Sequence, residues 1–251
     1  MKKIYVLLAT ALVLFASCSK DSGTVTSESI FPNYSDVVIP VNIAPLNFMV
    51  SGAEKVKVNI SGTSEYSFSN RGETVKFPLK RWKQMLNVEK GNSLKVSVFV
   101  NGENSPLAQF NWTVSADSID KYLSYRLIEP AYEVWSRIEI QERNLENFST
   151  RLLGDNRTAD KCCINCHTTN NKGTSFMHLR GSNGGTILNR NGVVTKLNTK
   201  TEFTGNTVYG DISTDGRYGV FTTADIKFAI HSHYTKRMEV YDSSSDLVVL
   251  D

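Results

Sequence analysis

Apolar and polar residues alternate with period two along much of the chain. Val56-Lys57-Val58-Asn59-Ile60, Leu94-Lys95-Val96-Ser97-Val98-Phe99-Val100 and Phe110-Asn111-Trp112-Thr113-Val114 each put one face against a core and the other in water. Gly52, Gly62, Gly72, Gly91 and Gly102 punctuate this stretch at turn spacing. The pattern predicts a β-sandwich over 30–117, with a short helix over Pro78 to Leu86. From Phe176 the strand pattern returns. Gly184 to Leu188 and Val193 to Leu197 flank Asn191-Gly192, which reads as a hairpin turn. Ile212 to Phe221 enters and leaves an Asp215-Gly216 turn, and Met238 to Asp242 and Leu247 to Asp251 are further strands.

Between these β regions the signal changes. Ser118-Ile119-Asp120 offers a helix cap, and Leu123, Leu127, Ile128, Tyr132, Val134, Trp135 and Ile138 have mixed spacing that Pro130 interrupts. A helical connector is the reading for this stretch, with Tyr132 and Trp135 as packing residues. The polar, turn-rich residues 154–174 follow it. The fold class is therefore mainly β: an immunoglobulin-like sandwich, then a short helical connector over 118–174, then a second β region over 175–251.

The N-terminus reads as a leader. Lys2 and Lys3 precede an apolar run from Ile4 to Ala16, too short to span a bilayer and suited to the core of a signal peptide. Phe15-Ala16-Ser17-Cys18 resembles a bacterial lipoprotein cleavage site, although Phe15 stands where leucine is usual. The resemblance implies removal of 1–17 and lipidation of Cys18, firm anchoring by several acyl chains, and a flexible tether over 18–29. An ordinary secretory signal is the alternative. Ser19-Lys20-Asp21 partly resembles the surface-export signal of Bacteroidetes-type lipoproteins. The expected location is the cell envelope, on the outer membrane, facing the periplasm or the surface.

The chain holds 28 basic and 25 acidic residues, and loss of Lys2 and Lys3 leaves 26 against 25. A net charge of +1 gives no electrostatic footprint for nucleic acid.

The residues that carry chemistry are Cys163-Ile164-Asn165-Cys166-His167, in the pattern C-x-x-C-H. With four cysteines and four histidines in 251 residues, chance is a weak source for this order. It is the attachment pattern of haem c: two thiols for thioether bonds and an adjacent imidazole for iron. A C-x-x-C disulfide lacks its βαβ context, a zinc site lacks clear ligands beyond Cys162, Cys163, Cys166 and His167, and an unoccupied motif stays open. Distal ligand candidates are His178, His231 and Met177, in that order, and a vacant sixth position is a further possibility. Arg180 is a candidate partner for a propionate, and Cys162 is left over.

The mature sequence resembles a group of Bacteroidetes-type lipoproteins with an N-terminal β module, one C-x-x-C-H and a C-terminal TolB-like (PD40) β-propeller. The carrying segments are Ile39 to Phe48, Tyr125 to Pro130, Cys163 to His167, His178 to Arg180, Gly184 to Thr186 and Val240 to Leu247. The resemblance supports His178 and His231 but not His233. It departs at Ile212-Ser213-Thr214, where the group often carries Trp-His-Pro. Roughly 75 residues follow the 154–174 stretch that holds the cysteines, room for one to two blades of about 40 residues, so a partial propeller and a longer parent protein are expected. The implied function is a lipid-anchored protein with one covalent haem c, serving electron transfer or haem-based sensing with an unidentified redox partner. It is not expected to be an enzyme in its own right. The alternative is a non-redox scaffold whose β domains hold a protein or glycan.

Overall fold

The computed structural model describes residues 26–128, 137–157, 163–202, 207–231 and 237–251. The leader, Cys18, Tyr132, Val134, Trp135, Cys162 and His233 lie outside them. Among the described residues no helix is long and apolar enough to cross a membrane. The chain is mainly β and divides into two units, 1–119 and 120–251.

The first unit has a five-stranded and a three-stranded sheet. In chain order the strands are β1 (Ile30–Phe31), β2 (Val37–Ile39), β3 (Phe48–Val50), β4 (Lys55–Ser61), β5 (Glu65–Arg71), β6 (Thr74–Val75), β7 (Ser93–Val100) and β8 (Ala108–Val114). The larger sheet runs β2-β8-β7-β4-β5 and the smaller β1-β3-β6. Period-two alternation works as anticipated: Val56, Val58 and Ile60 of β4 are fully buried, as are Leu94, Val96 and Val98 of β7. Helix α1 (Leu79–Val88) adds Trp82, Met85 and Leu86 to the same core. The two core indoles keep their polar edges satisfied, Trp82 donating to the Ile43 carbonyl at 2.9 Å and Trp112 to the Tyr34 carbonyl at 2.8 Å.

Buried Glu89, just after α1, ties the β4–β5 turn to the core. Its carboxylate accepts from the Thr63 amide (2.9 Å), the Thr63 hydroxyl (2.8 Å), the Ser64 amide (3.0 Å) and the Tyr66 hydroxyl (3.2 Å). Burial pushes its acidity the other way, but these four donors outweigh it and hold the carboxyl below the usual range. Gly62 is needed beside it, since an added Cβ would lie 2.6 Å from the Glu89 carboxylate and 2.5 Å from Leu94.

The second unit is built of three antiparallel meanders. The first is β9 (Tyr122–Ile128), β10 (Ile138–Asn144) and β11 (Thr150–Asp155). The second is β12 (Ile164–Thr169), β13 (Ser175–Leu179), β14 (Gly185–Arg190) and β15 (Val193–Leu197). The third is β16 (Thr207–Ile212), β17 (Gly219–His231) and β18 (Arg237–Leu250). The Asn191-Gly192 turn has both residues at positive φ, 54° and 81°, as a two-residue hairpin requires.

The helical connector is corrected here. The described parts of 120–174 belong to the second unit and are built of strands and turns, with no helix among them. The spacing of Leu123 and Leu127 mimics a helix turn, yet both are largely exposed on β9, while Ile138 and Ile140 on β10 are buried. Cross-strand pairing of β10 with both neighbours overrides a weak local preference. The polar 154–174 stretch likewise contains β12, with described turns at Asn156–Arg157 and Asn170–Thr174.

The middle meander is covered on both faces. On one side Met177, Leu179, Ile164 and Cys163 pack with Ile138 and Ile140 of the first meander. On the other, Phe176 and His178 meet Phe221 of the third, with Phe176 and Phe221 ring centroids 4.8 Å apart. The edge strand β12 lies alongside β9 and β10 on one side and β16 on the other.

Candidate functional site

The C-x-x-C-H motif sits on β12, at the edge of its sheet where the three meanders meet. The ladder to β13 pairs Ile164 with Leu179, Asn165 with His178 and Thr168 with Phe176. Cys166 and His167 together oppose the single residue Met177, so the strand carries a bulge inside the motif. Cys166 takes φ 51°, a left-handed conformation that costs an L-residue about 1 kcal/mol or more. The Arg180 amide donates to the Cys163 carbonyl at 2.9 Å, pinning the motif's start.

Cys163 and Cys166 are half-buried thiols outside any disulfide. Burial pushes the Cys166 thiol up. The Arg180 and Arg126 guanidiniums pull it down less strongly, and Cys163 adds to the rise. His167 reaches β9: burial lowers its basicity, the Ser124 backbone opposes this, and Arg126 lowers it further. At neutral pH the motif therefore presents a protonated Cys166 thiol and a neutral His167 imidazole, flanked by Arg126 and Arg180. Arg126, on β9, was not singled out from sequence. Nothing local marks it, because only tertiary pairing brings β9 beside β12.

Met177 and His178 lie on the strand paired with the motif, each in a packed position of its own. Met177 faces the apolar cluster of Ile138, Ile140 and Ile164. His178 is 2% exposed, lies between Phe176 and Phe221, and has Nδ1 2.8 Å from the Thr186 hydroxyl. Burial, aided by Arg180, pushes its pKa down to about 4, with the Val208 backbone acting in the opposite sense. That backbone does not reach Nε2 in hydrogen-bond geometry, and Nε2 is left without a partner. The backbone of His231 ends β17, ten residues beyond Phe221, about 33 Å along an extended strand.

Among the described residues no three His, Cys, Asp or Glu side chains converge on one metal position, so zinc finds no support in their geometry. The donor chemistry fits a haem held through Cys163, Cys166 and His167. It does not fit one clasped between His167 and His178, because hydrogen-bonded strands stand only about 4.8 Å apart and leave no slot for a porphyrin. Arg180 spends one donor on the Thr207 carbonyl at 2.9 Å while still acting on Cys166.

No family model, no curated protein and no solved structure matches the chain.

Proposed function

We propose that the protein is a lipid-anchored envelope protein carrying one covalent c-type haem, and that it serves electron transfer or haem-based sensing. The observation that carries this is the state of the motif. Two cysteines outside any disulfide and a neutral imidazole sit at a left-handed bulge on an edge strand, beside Arg126 and Arg180. A non-glycine residue held in that conformation inside the motif argues for selection on the motif itself. Cys163 and Cys166 would hold the group by thioether bonds, and His167 would offer iron its neutral nitrogen. The two arginines would match the propionate carboxylates. Bound haem supplies one-electron chemistry, and no catalytic residue is assigned to the chain. Cys18 would carry the lipid.

In the same reading the three meanders are blades of a TolB-like propeller. Their edge strands β9, β12 and β16 lie side by side as inner strands of consecutive blades would, and the middle sheet is covered on both faces. The first unit is read as immunoglobulin-like, with two sheets sharing one core.

A second reading, a non-redox scaffold for a protein or glycan, is favoured by the anchoring of the motif in its sheet. Ile164 is buried and β12 pairs with β13 on both sides of the bulge, so the sheet itself holds the motif in place. A denaturing gel stained for haem peroxidase, on protein expressed with a c-type maturation system, separates the two. A stained band that disappears in Cys163→Ala/Cys166→Ala supports covalent haem. Intact protein without stain supports the scaffold.

A further inference from the structure

A cavity of about 170 Å³ opens on the face of the middle meander that carries His178. His178, Arg180, Thr186, Thr199, Lys200 and Thr207 line it, and no carboxylate does among the described residues. Its full charges, Arg180 and Lys200, are both positive. Gly181, Gly184 and Gly185 form a wall that sends no side chain into the space.

The interior is a relay of hydroxyls. His178 Nδ1 lies 2.8 Å from Thr186 Oγ1, Thr186 Oγ1 3.4 Å from Thr199 Oγ1, and Thr199 Oγ1 2.7 Å from Thr207 Oγ1. His178 and the three threonines are all buried. A neutral imidazole has one N–H. With the Thr186 hydroxyl donating to Nδ1, that proton lies on Nε2, a buried donor with no acceptor in hydrogen-bond geometry among the described residues, although the Val208 backbone acts on the ring. Buried polar groups are rarely left so, and each one costs stability until it is matched. With the proton on Nδ1 instead, Nε2 would be a bare acceptor suited to a cation, but Arg180 and Lys200 beside it repel cations. The charges therefore select the first arrangement and an anionic occupant.

We propose that this cavity binds a small tetrahedral oxyanion, phosphate as the free ion or as the end group of a monoester. Its size agrees: at about 30 Å³ per water it holds five or six waters, enough for such an anion with a little solvent, and it falls below the ~300–1,000 Å³ of drug-sized ligand sites. Arg180 keeps guanidinium donors beyond the one spent on Thr207, and Lys200 adds a mobile ammonium at the mouth. The site uses none of Cys163–His167 and shares only Arg180 with the haem reading, so its test does not require haem.

The test is calorimetric titration of the full chain with inorganic phosphate and with glycerol phosphate, at constant ionic strength, alongside nitrogen-15 spectra of the imidazoles. Saturable one-to-one binding, a shift of the His178 ring resonances, and weakening of about tenfold in Lys200→Gln are expected, the loss of one charge-assisted hydrogen bond. Tighter binding of the inorganic ion assigns the free anion, and tighter binding of the ester assigns a phosphoryl end group. Absence of saturable binding overturns the proposal. So does binding that neither moves the His178 resonances nor weakens in Lys200→Gln, which exposes its side chain and leaves the core intact.

Discussion

Asn165 and His178 are cross-strand partners, so the residue at the centre of C-x-x-C-H and a histidine only 2% exposed stand directly opposite each other in one ladder. This closeness is what separates their roles. A histidine on the neighbouring hydrogen-bonded strand cannot cap the far side of a group carried by the first. Under the haem reading proposed above, His178→Ala is expected to leave haem content and the haem absorption spectrum unchanged, while loss of its packing on Phe176 and Phe221 lowers stability by about 2–4 kcal/mol. Pyridine haemochrome and urea unfolding read the two effects separately.

The same histidine makes stability depend on pH in a defined window. Its folded pKa, about 4, is below the ordinary value of 6.5. As pH falls below 6.5 the unfolded chain takes up a proton that the folded chain refuses. The imidazole's contribution is thus complete above 6.5 and is lost progressively down to about 4, by ~3 kcal/mol at most. Urea midpoints between pH 7 and 4 should show this slope for the second unit. His178→Asn should flatten it, and an unchanged slope would refute the assignment.

Cys166 allows a test of backbone strain. Glycine enters the left-handed region freely, whereas alanine pays for its Cβ. In haem-free protein Cys166→Gly should be more stable than Cys166→Ala by about 1 kcal/mol, the reverse of the usual order within a strand. Both variants should lose one thioether. Equal stabilities in thermal unfolding would show that the bulge relaxes without cost.

In the first unit Glu89 is the acid-sensitive group. Its folded pKa is depressed, so its contribution is present above the unfolded value and is lost as pH falls through the folded one. Glu89→Ala, which strands the Thr63 and Ser64 amides, should cost about 2–4 kcal/mol. Glu89→Gln should cost less and remove the acid dependence. Gly62→Ala should be destabilising as well, because its Cβ would meet Leu94 and Glu89. Unfolding followed by the fluorescence of Trp82 and Trp112 tests all three.

Much of this protein was legible in the order of its residues. Val56 to Ile60 and Leu94 to Val100 announced their strands because one wet and one dry face forces period two. Asn191-Gly192 announced its hairpin because few residue pairs accept two positive φ angles. Cys163 to His167 stood out as chemistry by spacing alone. What the sequence could not settle was every property that depends on a neighbour from elsewhere in the chain. Leu123 and Leu127 had helical spacing, but pairing with β10 made them a strand. Arg126 had no local mark, and only the approach of β9 to β12 set its charge beside Cys166 and His167. His178 read as the first candidate for a distal ligand, and the packing of Phe176 and Phe221 with the Thr186 hydroxyl made it a buried neutral ring. Local periodicity is written residue by residue, whereas burial, charge environment and cross-strand opposition arise only when distant segments meet.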